Sequence, residues 1–136
     1  MLSQIVTKLA GKANLRSVEG VVGLAAVKGP PVNTPCAFVF PLSDTAGPNH
    51  TLNAVDQRVD QTFGVLVILR GAGDLKGAKA ADVIAVRRDE INAELVGWQP
   101  EGAETSIEYL GGALVDLIDD TVWWLFRYRN AFRIWS

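Results

Sequence analysis

The sequence predicts an α+β domain: a mostly antiparallel sheet of about five strands with two helices packed on it. Apolar residues recur with helical spacing at the beginning of the chain and again within 78–97. Long alternating runs at 57–70 and 122–135 indicate strands, and turn signals before the last run predict antiparallel neighbours. The expected order is α-β-β-α-β-β-β, in a single domain spanning 1–136.

The first third of the chain predicts one helix, one ambiguous segment and one strand. Four apolar residues share a helical face near the start: Leu2, Ile5, Val6 and Leu9. Residues 17–28 stay ambiguous, because glycines interrupt both the helical and the strand period. Gly29-Pro30-Pro31 breaks the chain, and the apolar run 36–42 predicts a short strand that Pro41 ends or places at an edge.

A long polar loop is predicted at 43–55. Loops of this length without structure of their own are usually functional or disordered. Asn49 and His50 lie in this loop and are candidate interface residues. We expect the loop to become ordered on assembly.

The middle of the chain predicts a long strand and the second helix. Residues 57–70 place Phe63 and Val65 on one core-facing side. A glycine-rich loop at 71–80 separates this strand from a helix over about 78–97. The core stripe of that helix is Ile84, Ile91 and Leu95, continued by Trp98.

The last third predicts three antiparallel strands. Two of them, 106–110 and 113–118, flank Gly111-Gly112, a two-residue hairpin signal, and Asp119-Asp120 turns the chain into the final strand. In that final strand one face is apolar and predicted to be core: Val122, Trp124, Phe126, Tyr128, Phe132 and Ile134. The other face is amphipathic and is the candidate interface: Trp123, Leu125, Arg127, Arg129, Arg133 and Trp135.

This alternation weighs against a surface for single-stranded nucleic acid. The aromatic residues lie mostly on the side opposite the arginines, which removes the stacking platform that such a surface needs. Tryptophan and arginine are enriched in protein interfaces, although the arginines could equally pair with Asp and Glu of a neighbouring strand. Fourteen strand residues span roughly 46 Å, against about 37 Å for a compact domain of this size, so the strands must bend or project. We therefore expect an oligomer.

Composition excludes several classes of function. The formal net charge is −2, which argues against general binding of nucleic acid. The single cysteine, Cys36, permits no intramolecular disulfide, and the single histidine, His50, has no second His or Cys to complete a metal site or a catalytic triad. The glycines lack phosphate-binding spacing. We expect no enzyme, no cofactor, no metal and no membrane segment, in a protein made in the cytoplasm.

Several stretches resemble the tail terminator proteins of long-tailed bacteriophages and related prophage tails. The similarity runs over nearly the whole chain in the same order. Its most specific pieces are Gly97-Trp98-Gln99-Pro100, the run Ile107-Glu108-Tyr109-Leu110-Gly111-Gly112, and the pair Trp123-Trp124. One departure is the basic final strand, where a polar or acidic-aromatic strand is expected for such chains.

The resemblance implies a structural virion protein at the neck end of the tail. Such a subunit forms a ring, typically a hexamer, that caps the tail tube and presents a surface to head-completion or neck proteins, with the tail sheath as a further candidate partner. DNA passes through the lumen only as cargo. A head-tail adaptor, another neck protein or a tube subunit would share much of this physics, and a nucleic-acid-binding module using Arg127, Arg129 and Arg133 is the alternative from another class. A small enzyme ranks last.

Overall fold

The computed structural model describes residues 1–25, 27, 33–71 and 80–136, which form three helices and five strands. In chain order these are α1 (Leu2–Leu9), β1 (Ser17–Glu19), α2 (Val21–Ala25), β2 (Cys36–Ala46), β3 (Asp56–Arg70), α3 (Ala80–Leu95), β4 (Glu108–Ile118) and β5 (Thr121–Trp135). The strands make one sheet in the order β1-β2-β3-β5-β4. Only β1 and β2 are parallel among these pairs, so the predicted α+β class with a mostly antiparallel sheet is confirmed.

The ambiguous segment contains a strand and a helix that the predicted order lacks. Residues Ser17–Glu19 pair with Cys36–Phe38, and α2 follows directly after Gly20. Leu24 of α2 packs against buried residues of the sheet, so tertiary contacts decide a conformation that local periodicity left open. The predicted break at Gly29-Pro30-Pro31 and most of the predicted loop 71–80 lie outside the described residues.

The strand predicted to end at 42 continues to Ala46. The pairing of β2 with β3 shifts by one residue between Pro41 and Ser43, which is a β-bulge at Leu42. Beyond the bulge, Ser43 to Ala46 pair with Thr62 to Val59. Hydrophobic periodicity could not predict that the strand continues to Ala46, because the residues after the bulge are exposed and mostly polar. Backbone pairing with β3 holds them in the sheet. The predicted loop 43–55 is therefore shortened to 47–55.

The predicted hairpin at Gly111-Gly112 is wrong. Residues Glu108–Ile118 form the single strand β4, with register shifts at Leu110 and Val115. The two glycines serve packing and backbone geometry within the strand: Gly111 has a φ of 132°, and a Cβ on Gly112 would lie 2.6 Å from Nε1 of Trp124. The fifth strand of the sheet is consequently β1. The Asp119-Asp120 turn connects β4 to β5, and Asp119 has a φ of 51°.

The main core lies between one face of the sheet and the helices α1 and α3. We call this face the helix face. Tyr128 and Phe63 are fully buried there with their rings stacked at 5.5 Å, and the Tyr128 hydroxyl donates to Oδ1 of Asn92 at 2.7 Å. Burial raises the pKa of Tyr128 far above its ordinary value. Helix α3 ends at Leu95 rather than at 97, and Trp98 packs on the core from beyond the helix.

Most of the residues predicted as core lie in this cluster. Those buried in it are Phe63, Val65, Ile91, Leu95, Phe126 and Tyr128, with Ile84 and Trp124 partly buried against it. Phe132 is half-buried and lies beyond the cluster. Its partner across the strands, Val59, is buried.

Candidate assembly surfaces

The opposite face of the sheet carries a second, smaller core. Cys36, Phe38, Leu66 and Ile68 are buried there, and Trp123 and Leu125 pack against them. A Cβ on Gly64 would lie 2.7 Å from Cδ1 of Leu125, so this glycine leaves the room that the leucine fills. Two members of the predicted interface strip, Trp123 and Leu125, are therefore half-buried within the subunit rather than exposed beside the arginines.

The far end of the sheet is built from the distal halves of β2, β3 and β5, and we call it the arm. The last six residues of β2 are all exposed. At the end of β5, Trp135 is 71% exposed. The tip of the arm is the connection 47–55, where Leu52 is 99% exposed. The arm thus exposes the end of β2, the last residues of β5 and a loop, whereas Val59, Asn130 and Ala131 within it are buried.

Arg129 and Arg133 of β5 lie on the arm and face carboxylates of neighbouring segments, whereas Arg127 lies nearer the middle of the strand. Arg129 binds Glu108 at 2.6 Å. Arg133 binds both Asp56 and Glu104 at 2.8 Å. The hydrogen bonds with these carboxylates raise the pKa of both guanidinium groups above its ordinary value. Two of the three arginines therefore pair with carboxylates of their own subunit, as one of the alternatives for this strand predicted.

Charge on this side of the arm is balanced. Arg58 pairs with Asp60 at 3.2 Å. Among the described residues, Arg127 is exposed and has no carboxylate within 4.0 Å. This face of the sheet and its neighbouring segments carry four side chains of each sign: Arg58, Arg127, Arg129 and Arg133 with Asp56, Asp60, Glu104 and Glu108. Binding of a phosphate backbone needs a surplus of positive charge, which this surface does not offer.

Asn49 holds the tip of the arm together. Its side-chain amide donates to the carbonyl oxygens of Thr51 and Ala54, at 3.0 and 2.9 Å, and its Oδ1 accepts from the backbone N–H of Asp56 at 2.8 Å. The neighbouring His50 is exposed, and its backbone N–H donates to the carbonyl oxygen of Asp56 at 3.1 Å. Asn49 thus has an internal bracing role, and ordering of the loop on assembly stays a prediction for 47–55.

Sequence reasoning missed the outer edge of β4. This edge strand is apolar and almost wholly exposed; Leu117 is 64% and Val115 is 55% exposed. A groove of about 400 Å³ lies between β4 and α3 on the helix face. We call it the β4 groove; it is lined by Ala81, Ile84, Ala85, Arg88, Leu114, Leu117, Val122 and Trp124. The sequence contained a signal for this exposed edge, because the run ALVDLI has apolar residues at both odd and even positions. The hairpin interpretation drew attention away from it.

A second apolar groove lies on the same face at the other edge of the sheet. Its volume is about 450 Å³. We call it the β2 groove; it is lined by Leu2, Ser3, Val6, Thr7, Gly20, Val21, Val39 and Pro41. Next to it, Val22 is 82% exposed. Both grooves are the kind of apolar surface that proteins cover with a partner.

Neither a metal-binding cluster nor a membrane-spanning helix is found in the part of the chain that the structure describes. Within residues 1–25, 27, 33–71 and 80–136, no three His, Cys, Asp or Glu side chains are grouped so as to hold a metal ion. None of the described helices is both long and apolar enough to cross a membrane.

Comparison with known proteins identifies the family. The family model described as "Phage tail terminator protein" matches residues 2–136. The chain belongs to the phage tail terminator protein family. The resemblance seen in the sequence is thereby confirmed, and the protein is of a structural, bacteriophage tail family.

A solved structure has the same fold as this tail terminator family member. It is a chain from the "Virion of native gene transfer agent (GTA) particle", with a TM-score of 0.60 and 14% sequence identity. The match covers 96% of this chain and 92% of the other. Among curated protein sequences, none matches.

Proposed function

We propose that the chain assembles into a ring, a hexamer by its family resemblance, that caps the tail tube and ends tube polymerisation. The observation that carries this proposal is the family match over residues 2–136. The exposed end of β2 on the arm and the two apolar grooves support it, because they offer surface that partners could cover.

The proposed partners are further copies of the chain, the tail tube protein and a head-completion or neck protein, with the tail sheath as an additional candidate. The ring would stand at the neck end of the virion tail after synthesis of the chain in the host cytoplasm, and DNA would pass through its lumen as cargo. We propose a purely structural role without catalysis. The charge balance of the arm supports passage rather than retention of DNA.

Tube polymerisation in vitro tests this function. Purified tube protein of the same phage or particle is allowed to polymerise with and without the chain, and tube lengths are measured by electron microscopy. We expect shorter tubes, each with added density at one end. Tubes that grow equally long in both samples contradict capping, and binding of the chain to portal-containing heads instead of tubes would indicate a head-tail adaptor.

A salt titration addresses the nucleic-acid alternative. That alternative predicts DNA binding that falls steeply between low and physiological salt and that is lost when Arg127, Arg129 and Arg133 are all replaced by Gln. We expect weak binding and little difference between the wild-type chain and this triple variant, since two of the arginines are already paired.

A further inference from the structure

The sheet has two outer edges, and both carry exposed apolar surface on the helix face. At one edge the β4 groove is bordered by Leu114 and Leu117. At the other edge, formed by β1 and β2, the β2 groove is bordered by Val21 and Pro41. Within one subunit the two surfaces cannot meet, since three strands separate β2 from the outer edge of β4.

We propose that the two edges are the two halves of a single contact between copies of this chain: the β4 edge of one copy docks against the β1–β2 edge of the next. The inference rests on the proposed function in so far as that function requires a ring. It goes further by assigning the surfaces and by defining the contact as heterologous, with different patches on the two sides.

Opposite edges of one sheet are suited to a ring. A contact between different patches repeats from copy to copy and closes if the rotation permits, whereas a patch that meets itself stops at a dimer. The directions of the strands also fit a contact between opposite edges of the sheet. Because β2, β3, β5 and β4 are successively antiparallel, β4 runs opposite to β2, and a neighbour in the same orientation would continue the alternation.

The available area is that of a stable interface. The 11 residues of β4 extend about 36 Å at roughly 3.3 Å per residue. The edge is about 20 Å deep when the sheet and the helix layer on it are each taken as about 10 Å. The product, about 700 Å², approaches the roughly 800 Å² per partner of a standard protein interface.

The two edges carry one pair of opposite charges, Arg16 beside β1 and Asp116 on β4. The register connects Asp116 with Trp123, Ile68, Cys36 and Ser17 at one level across the sheet. Arg16 precedes Ser17, so Arg16 of one copy and Asp116 of the next lie at the same level when copies stand side by side without stagger. Among the described residues, both side chains are exposed and neither has an oppositely charged group within 4.0 Å.

Side chains rather than a long backbone ladder would carry most of this contact. The outer edge of β4 is interrupted by bulges at Leu110 and Val115, and β2 carries Pro41 and a bulge at Leu42. Bulges and proline are features that protect edge strands from indiscriminate pairing. Specific assembly then depends on the apolar grooves and the charged pair.

Two variants, mixed, test the heterologous contact. Leu117→Glu places a carboxylate in the β4 groove and leaves the β2 edge intact, whereas Val21→Glu does the reverse. Leu52→Glu is the matched control, since Leu52 is fully exposed at the arm tip and away from both grooves. Molar mass is measured by light scattering and sedimentation over concentrations up to millimolar, alone and with tail tubes, and circular dichroism checks folding.

We expect the wild-type chain and Leu52→Glu to assemble alike, and each groove variant alone to associate at least about tenfold more weakly, because a carboxylate would have to be buried. An equimolar mixture of the two groove variants should form a heterodimer that grows no further, since one intact contact remains. A groove variant that assembles like the wild type overturns the proposal. So does a mixture that forms no heterodimer, or a wild-type chain that stays monomeric under every condition.

The outcomes separate this inference from the proposed function. If the groove variants still form rings that cap tubes, the function stands and the assigned edges are wrong. If rings form through these edges but tubes grow past them, the edges are correct and the capping function is wrong.

Discussion

Replacing Tyr128 by phenylalanine removes a single oxygen from a fully buried position. The hydroxyl donates to Oδ1 of Asn92 at 2.7 Å, and the ring stacked on Phe63 is retained in the variant. Asn92 is half-buried, so losing the hydrogen bond from Tyr128 costs about 0.5–1.5 kcal/mol of unfolding free energy. For 136 residues the entropy of unfolding is about 0.29 kcal/mol/K, so a loss at the upper end, about 1.5 kcal/mol, lowers Tm by about 5 °C.

The same variant changes the response to alkaline pH. Burial, with a smaller contribution from repulsion by Tyr109, raises the pKa of Tyr128 above its ordinary value of 10.0. Above pH 10 the unfolded chain therefore loses a proton that the folded chain keeps, and the stability associated with Tyr128 falls as pH rises. The slope is about 1.4 kcal/mol per pH unit for one such group. We therefore expect the stability of Tyr128→Phe to fall less steeply above pH 10 than the stability of the wild type.

Tyr109→Phe is the matched control for the measurement at pH 7. Tyr109 is half-buried, and its hydroxyl has no hydrogen-bond partner among the described residues, so we expect its loss to change Tm by less than about 2 °C at pH 7. Thermal unfolding is followed by circular dichroism at pH 7 and at several values above 10. The reasoning is refuted if Tyr128→Phe is as stable as the wild type at pH 7, or if its stability falls just as steeply at high pH.

Three further changes test other parts of the structure. Gly64→Ala brings a Cβ to 2.7 Å from Leu125, so we expect a loss of about 1–3 kcal/mol in chemical denaturation, and unchanged stability would contradict that close approach. Asn49→Ala should speed proteolysis within 47–55 while the denaturation midpoint changes little; equal cleavage rates would show that the amide does not brace the loop. Asp116→Arg should weaken self-association measured by sedimentation, with Arg16→Asp in the same chain restoring it, and failure to restore would contradict the assigned pair.

Alternation and helical periodicity were sufficient for the elements that pack on the subunit's own core. Phe126 and Tyr128 point inward and Arg127 and Arg129 outward because strand parity fixes the face of every side chain, whatever the neighbours. Helix α1 likewise follows from its apolar stripe and the glycine after it. These features depend on local geometry, and local geometry can be read from a single sequence.

Alternation and helical periodicity could not predict which distant segments pair with each other. Arg129 lies opposite Glu108, and Arg133 reaches Asp56 and Glu104, only because β5 lies between β3 and β4 in a particular register. That register also decides that Gly112 faces Trp124. A glycine needed for close packing and a glycine needed for a turn are the same letter in the sequence, and only the strand order distinguishes them.

The composition of β4 gives the strongest physical reason to expect a neighbour. A strand rich in Leu and Val is normally covered on at least one face, and several such residues of β4 are half exposed or more at the edge of the sheet, including Leu114, Val115 and Leu117. Helices α1 and α3 cover the helix-face core but leave the β4 groove open. We therefore expect burial of these residues by a partner to lower the free energy of an assembled state. The proposed contact between copies would supply such a cover, because the opposite edge of the same sheet carries a second apolar groove.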